Sequence, residues 1–65
     1  MGWVYKTGEH VQLGDRVKIS QRYAKEFNVT RDGCVVGLHG FVTVELSNGD
    51  NVDLDMRSMS FVRRK

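Results

Sequence analysis

Residues able to do chemistry are few in this chain of 65 and are poorly grouped. Cys34 is the only cysteine, so no disulfide forms within the chain. His10 and His39 are the only histidines, and with one thiol they make a poor ligand set for zinc. A nucleophilic Cys34 would need a base placed beside it, and nothing local supplies one. Its expected place is that of a small apolar residue in a reducing compartment. Asp53 and Asp55 sit two apart, like an acid pair, but that spacing in an alternating strand describes a solvated face. Gly33, Gly37 and Gly40 lack the following helix that a phosphate loop requires. The expectation is therefore a non-enzymatic protein with no catalytic residues, metal, cofactor or small-molecule substrate.

Charge is the more informative chemistry. Residues 1–31 hold six basic and three acidic side chains, a net of +3. Residues 32–56 hold five acids and no base, a net of −5, and residues 57–65 hold four bases, a net of +4. The overall charge of +2 thus conceals an acidic middle between basic flanks. Arg16, Lys18, Arg22, Lys25, Arg63 and Arg64, with Arg31 and Lys65 nearby in sequence, are the candidate nucleic-acid-binding residues. They merge into one patch if the last strand pairs beside the first. Such cations, with Tyr23 or Phe27 for stacking, suit a nucleic-acid backbone.

Positioning these residues falls to strands. Short β-branched runs recur between Gly, Asn and Asp, whereas helical periodicity is confined to Tyr23 and Phe27 at i, i+4 spacing. Gly14-Asp15 reads as a turn launching Arg16-Val17-Lys18-Ile19, with Val17 and Ile19 on one face and Arg16 and Lys18 on the other. Residues 20–32 form a long polar connection, with room for one helical turn over Tyr23-Ala24-Lys25-Glu26-Phe27. Residues 34–38, 41–46 and 50–55 follow as three strands, then a tight 3₁₀ turn over 56–60 and a last strand from Phe61.

Hairpin registers follow from what must be buried. A two-residue Asn48-Gly49 turn would pair Val44 with Asp53 and Val42 with Asp55, placing carboxylates in the core row. Burying them costs several kcal/mol, which outweighs any preference between turn types. A three-residue loop, Ser47-Asn48-Gly49 with Gly49 left-handed, instead pairs Val44 with Val52, Val42 with Leu54 and Thr43 with Asp53. In the first hairpin a His39-Gly40 turn pairs Gly37 with Val42 and Val35 with Val44. The expected core row is Val17, Ile19, Val35, Val42, Val44, Val52 and Leu54. Val36, Leu38 and Phe41 then lie on the outer face and need a cover. Trp3 and Tyr5 could provide it, or a second chain, so Trp3, Tyr5, Val36, Leu38 and Phe41 are the candidate partner interface.

The whole chain reads as one domain, with residues 1–13 an N-terminal arm and 14–63 the core. It carries no proline, internal repeat or low-complexity tract. No signal-peptide pattern, myristoylation motif or membrane-length apolar run is present, so a cytoplasmic location without membrane contact is expected. A domain this small buries only ~60% of its unfolded surface, so a partner or self-association is a reasonable source of added stability.

Gly14-Asp15-Arg16-Val17-Lys18, Gly33-Cys34-Val35-Val36-Gly37 and Gly40-Phe41-Val42-Thr43-Val44-Glu45 together resemble SH3-like small barrels of the KOW and Tudor type. The resemblance covers about 50 residues, through Arg63. It implies an all-β fold: a five-stranded SH3-like barrel with a long first loop and a short 3₁₀ turn before the last strand. More distantly the string resembles plasmid-borne type II dihydrofolate reductase. That family lines its pore with a Val-Gln-Ile-Tyr segment, where this chain reads Val52-Asp53-Leu54-Asp55. Paired carboxylates there would repel anionic folate and NADPH. The leading expectation is a phage or bacterial adaptor or regulator that contacts nucleic acid or a nucleic-acid-bound protein. A protein-protein module or homo-oligomer is the alternative, and the reductase a distant third.

Overall fold

The computed structural model describes residues 2–64. Met1 and Lys65, the latter counted with the basic flank, lie outside the described residues. Five strands form one antiparallel sheet: β1 (Arg16–Ile19), β2 (Asp32–Gly37), β3 (Val42–Leu46), β4 (Asn51–Leu54) and β5 (Met59–Arg63). Their spatial order is β4-β3-β2-β1-β5, so the last strand lies beside the first, as the merging of the basic groups requires. One short α-helix, α1 (Gln21–Phe27), joins β1 to β2, and a 3₁₀ turn at Met56–Ser58 precedes β5.

Alternation decides which side chains meet the core. Val17 and Ile19 are buried and pair with Phe61 and Met59 of β5. The β3–β4 hairpin has the three-residue register: Val42 opposes Leu54, Thr43 opposes Asp53 and Val44 opposes Val52. Gly49 takes a φ of 92°, closing the loop in the left-handed region open to glycine. Val35, Val42, Val44 and Leu54 are buried as expected, while Val52 is only half-buried. Leu46 and Met59 join this core from strand positions that continue the same alternation.

One expectation needs correction. The first hairpin keeps Val35 opposite Val44, but the register then shifts, and Gly37 faces Thr43 rather than Val42. The extra residue, Val36, is bulged and exposed, which bends the strand locally. Within residues 20–32 the helical turn expected at Tyr23 to Phe27 is present and extends over Gln21–Phe27. Ser20 accepts a hydrogen bond from the Tyr23 backbone N–H and starts α1, and Asn28 ends it at a φ of 57°. Within the helix Ala24 is buried, and the Tyr23 and Phe27 rings stack with centroids 5.7 Å apart. Residues 1–13, the N-terminal arm, pack onto the rest of the domain. A Val4–His10 bridge folds them back on themselves, and Tyr5 and Val11 enter the core.

Gly33 does more than begin a strand. It faces inward opposite Val17 and Leu46, and a Cβ built there would lie 2.6 Å from Val44 Cγ1. The glycine thus lets β1 and β3 side chains meet over β2. Gly33→Ala is expected to destabilise the fold by about 1–3 kcal/mol through overpacking; the urea midpoint followed by circular dichroism measures this, and an unchanged midpoint would show that the core yields freely there.

Candidate nucleic-acid interface

The outer face of the sheet is built from the residues between the buried ones. Arg16 on β1 has Arg63 as its partner across β5 and Cys34 as its partner across β2. Cys34 in turn opposes Glu45, and Glu45 opposes Asn51. Read across the sheet, this row runs from two cations at β5 and β1 to a carboxylate at β3. Lys18 lies between Ser60 and Asp32 in the neighbouring row. Thr43 and Asp53 form a third row, linked by a 2.6 Å hydrogen bond from the Thr43 hydroxyl.

A bulge places Arg63 in that row. Phe61 opposes Val17 on the inner side, so plain alternation would turn residue 62 outward and residue 63 inward. The β1–β5 register shifts between Arg16 and Val17, setting Arg63 rather than Val62 opposite Arg16. Val62 and Arg63, with Arg16, Val17, Lys18, Asp32 and Gly33, consequently line a shallow concavity of about 280 Å³. Among the described residues Arg16 and Arg63 form no salt bridge. Lys18 donates to Asp32 at 2.6 Å with both side chains well exposed, so its charge is partly offset. That hydrogen bond and the ammonium charge hold the Asp32 carboxyl below its ordinary value. Asp55 is likewise lowered, chiefly by the Ser58 hydroxyl that donates to it.

The remaining sequence candidates are placed elsewhere. Arg22 and Lys25 are exposed on α1, beyond the end of β1, and do not line the concavity. Tyr23 and Phe27 pack half-buried against the core rather than offering open stacking faces. Arg31 donates through Nε to the Ile19 carbonyl at 2.9 Å, tying the end of the helical connection to β1.

Arg64 belongs to a different assembly, around the fully buried Asp15. Its Nε donates to Asp15 Oδ1 at 2.9 Å, and its Nη2 donates to the His10 carbonyl at 2.8 Å and to Asp15 Oδ2 at 3.3 Å. The Tyr5 hydroxyl and the Gln12 backbone N–H also donate to Oδ2, at 2.8 and 2.9 Å. The guanidinium lies 5.4 Å from the Phe61 ring centroid, and Phe61 contacts Tyr5 with centroids 4.9 Å apart. Sequence reasoning read Asp15 as a turn residue and missed this cluster. The only signal was an acid directly before an alternating strand, which a turn explains equally well.

The candidate partner interface divides too. Tyr5 is buried in the core, and Trp3 is half-buried and borders Leu38 of the outer apolar set. Leu38 is half-buried and shares a concavity of about 320 Å³ with Gly2, Trp3 and Gly40. Val36 and Phe41 stay exposed, at 42% and 61%. Among the described residues there is no helix long and apolar enough to cross a membrane, and no group of three potential metal ligands. Comparison with known protein families, curated proteins and solved structures finds no match.

Asp15 and Tyr5 make stability depend on pH at both extremes. Burial alone would raise the Asp15 carboxyl, but hydrogen bonds from Arg64, the Gln12 N–H and Tyr5 outweigh it and hold the group below its ordinary value of 3.8. The stabilisation is complete above that value and is lost as pH falls through the lower folded one. Burial, followed by the hydrogen bond to Asp15 and its charge, raises the Tyr5 phenol well above its ordinary value of 10.0. Below that value both states keep the proton. Above it the unfolded chain ionises first, so stability declines. Asp15→Asn is expected to cost about 1.5–3 kcal/mol at neutral pH, the range for hydrogen bonds to charged groups, and to flatten the acid limb of a melting-temperature profile. Tyr5→Phe should flatten the alkaline limb. Limbs unchanged in both variants would mean that other groups set the pH response.

Proposed function

We propose that this protein is a non-enzymatic binding module that contacts nucleic acid through the outer face of β1 and β5. The observation that carries this reading is the cross-strand pairing of Arg16 with Arg63 beside Lys18, around one open concavity. Two guanidiniums held on neighbouring strands, with no carboxylate partner among the described residues, are ready to receive phosphate oxygens, to which arginine bonds in a bidentate manner. Rigid strands hold them there without the ordering cost that loop side chains incur. The binding is of the backbone-tracking kind, strongly salt-dependent and tolerant of sequence. A phage or bacterial adaptor of cytoplasmic location fits this reading, with the small-barrel resemblance as its structural setting.

Arg16→Glu together with Arg63→Glu is expected to abolish binding to mixed-sequence nucleic acid, measured by fluorescence anisotropy at low salt. Arg22→Ala together with Lys25→Ala should leave most of it. Equal loss in both double variants would count against a strip confined to β1 and β5.

A second reading rests on Phe41 and on the bulged Val36, both exposed in the first hairpin. An apolar pair of this kind suits a protein contact or self-association. Under that reading light scattering at high concentration detects a dimer or larger species that Phe41→Glu returns to monomer, and a monomer in both cases dismisses self-association.

A further inference from the structure

We propose that the β1–β5 strip takes one nucleic-acid strand at a time and discriminates against a duplex. This inference rests on the nucleic-acid reading above and adds the class of ligand. The argument is one of width. Arg16 and Arg63 stand on adjacent strands, and neighbouring strands are about 4.8 Å apart. Moving from Arg16 away from β5, the same row passes the neutral Cys34 and reaches Glu45 on β3, about 10 Å from Arg16 at that spacing. Asp32 borders the strip in the next row, and Asp53 lies one strand further out. On the other side β5 is the last strand of the sheet.

A single row of phosphates fits between these limits. A duplex presents two rows flanking grooves about 6 and 12 Å wide. If one row sits on Arg16 and Arg63, the second falls toward the Glu45 carboxylate or beyond the sheet, where the strip offers it no cation among the described residues. At about 6 Å in water, one carboxylate weakens the binding of one phosphate by about threefold, and more where water is excluded. The strip also lacks an aromatic ring, because Phe61 faces inward against Tyr5 and Arg64. Affinity then comes from phosphate contacts alone and is modest.

The test is anisotropy with a fluorescein-labelled twelve-mer of thymidylate and with a duplex of the same length, titrated over a range of KCl. Two or three phosphate contacts give a log–log salt slope of about −1.4 to −2 for the single strand. Arg16→Ala should make that slope shallower by about 0.7, the loss of one contact. Asp32→Asn should tighten single-strand binding by releasing Lys18. The decisive variant is Glu45→Gln, which is exposed and leaves every described hydrogen bond intact. It should raise duplex affinity by about threefold while changing single-strand affinity less. A duplex bound as tightly as the single strand, or a ratio unmoved by Glu45→Gln, overturns the inference while leaving the strip as an interface. Binding of neither probe at about 20 mM KCl overturns the interface itself.

Discussion

The Asp15 carboxylate is the constraint around which the remaining structure is arranged. It is fully buried, and a buried carboxylate without partners costs several kcal/mol. Its oxygens are satisfied from both ends of the chain: by Tyr5 and Gln12 before it and by Arg64 after β5. None of these donors arrives through the β1–β2–β3–β4 ladder itself. The charge therefore forces the first dozen residues to fold onto the start of β1, and it forces the chain after β5 to return to the same place. Phe61 and Tyr5 add apolar contact beneath the polar cluster, and the cationic Arg64 over Phe61 joins the two layers. A seemingly spare N-terminal segment becomes part of the core by this route.

That arrangement explains what could be read in the sequence and what could not. The β3–β4 register was legible because only one pairing keeps aspartates out of the core, and burial energies separate the alternatives widely. The pairing of β1 with β5 entered only as a condition on the merging of the basic groups, and the strand order meets it. The first hairpin was not legible, because bulging Val36 moves one aliphatic residue outward, and period-2 patterning carries no penalty large enough to announce it. The Arg63 bulge escaped for the same reason, although the arginine was selected on charge. Helix α1 is short, and its cap, Ser20, also occurs in ordinary turns. Asp15 was hidden most completely, since its burial depends on donors 10 residues before it and 49 residues after it. Local patterns contain no trace of such partners.

The candidate site shows the same division. Of the six basic residues selected from sequence, Arg16, Lys18 and Arg63 share one concavity. Arg22 and Lys25 stand apart on α1, and Arg64 is occupied by Asp15. Charge composition finds where cations are plentiful, but pairing decides which of them stay available. The acidic middle segment proves equally consequential. It supplies Glu45 and Asp53 to the same face that carries Arg16 and Arg63, so the sheet is polarised across its strands rather than along them.

The position of β5 also bears on the order of assembly. Strands β2, β3 and β4 follow one another through short loops, and contacts of small sequence separation form early at little entropic cost. The pairing of β1 with β5 joins residues 40 or more apart and belongs late in folding. The two halves of the cationic strip lie on opposite sides of that last closure. An early intermediate consisting of the meander alone carries only acidic charge from Asp32 to Leu54. The meander by itself would therefore repel polyanions, and the paired cations of the strip stand side by side only when the fold is complete.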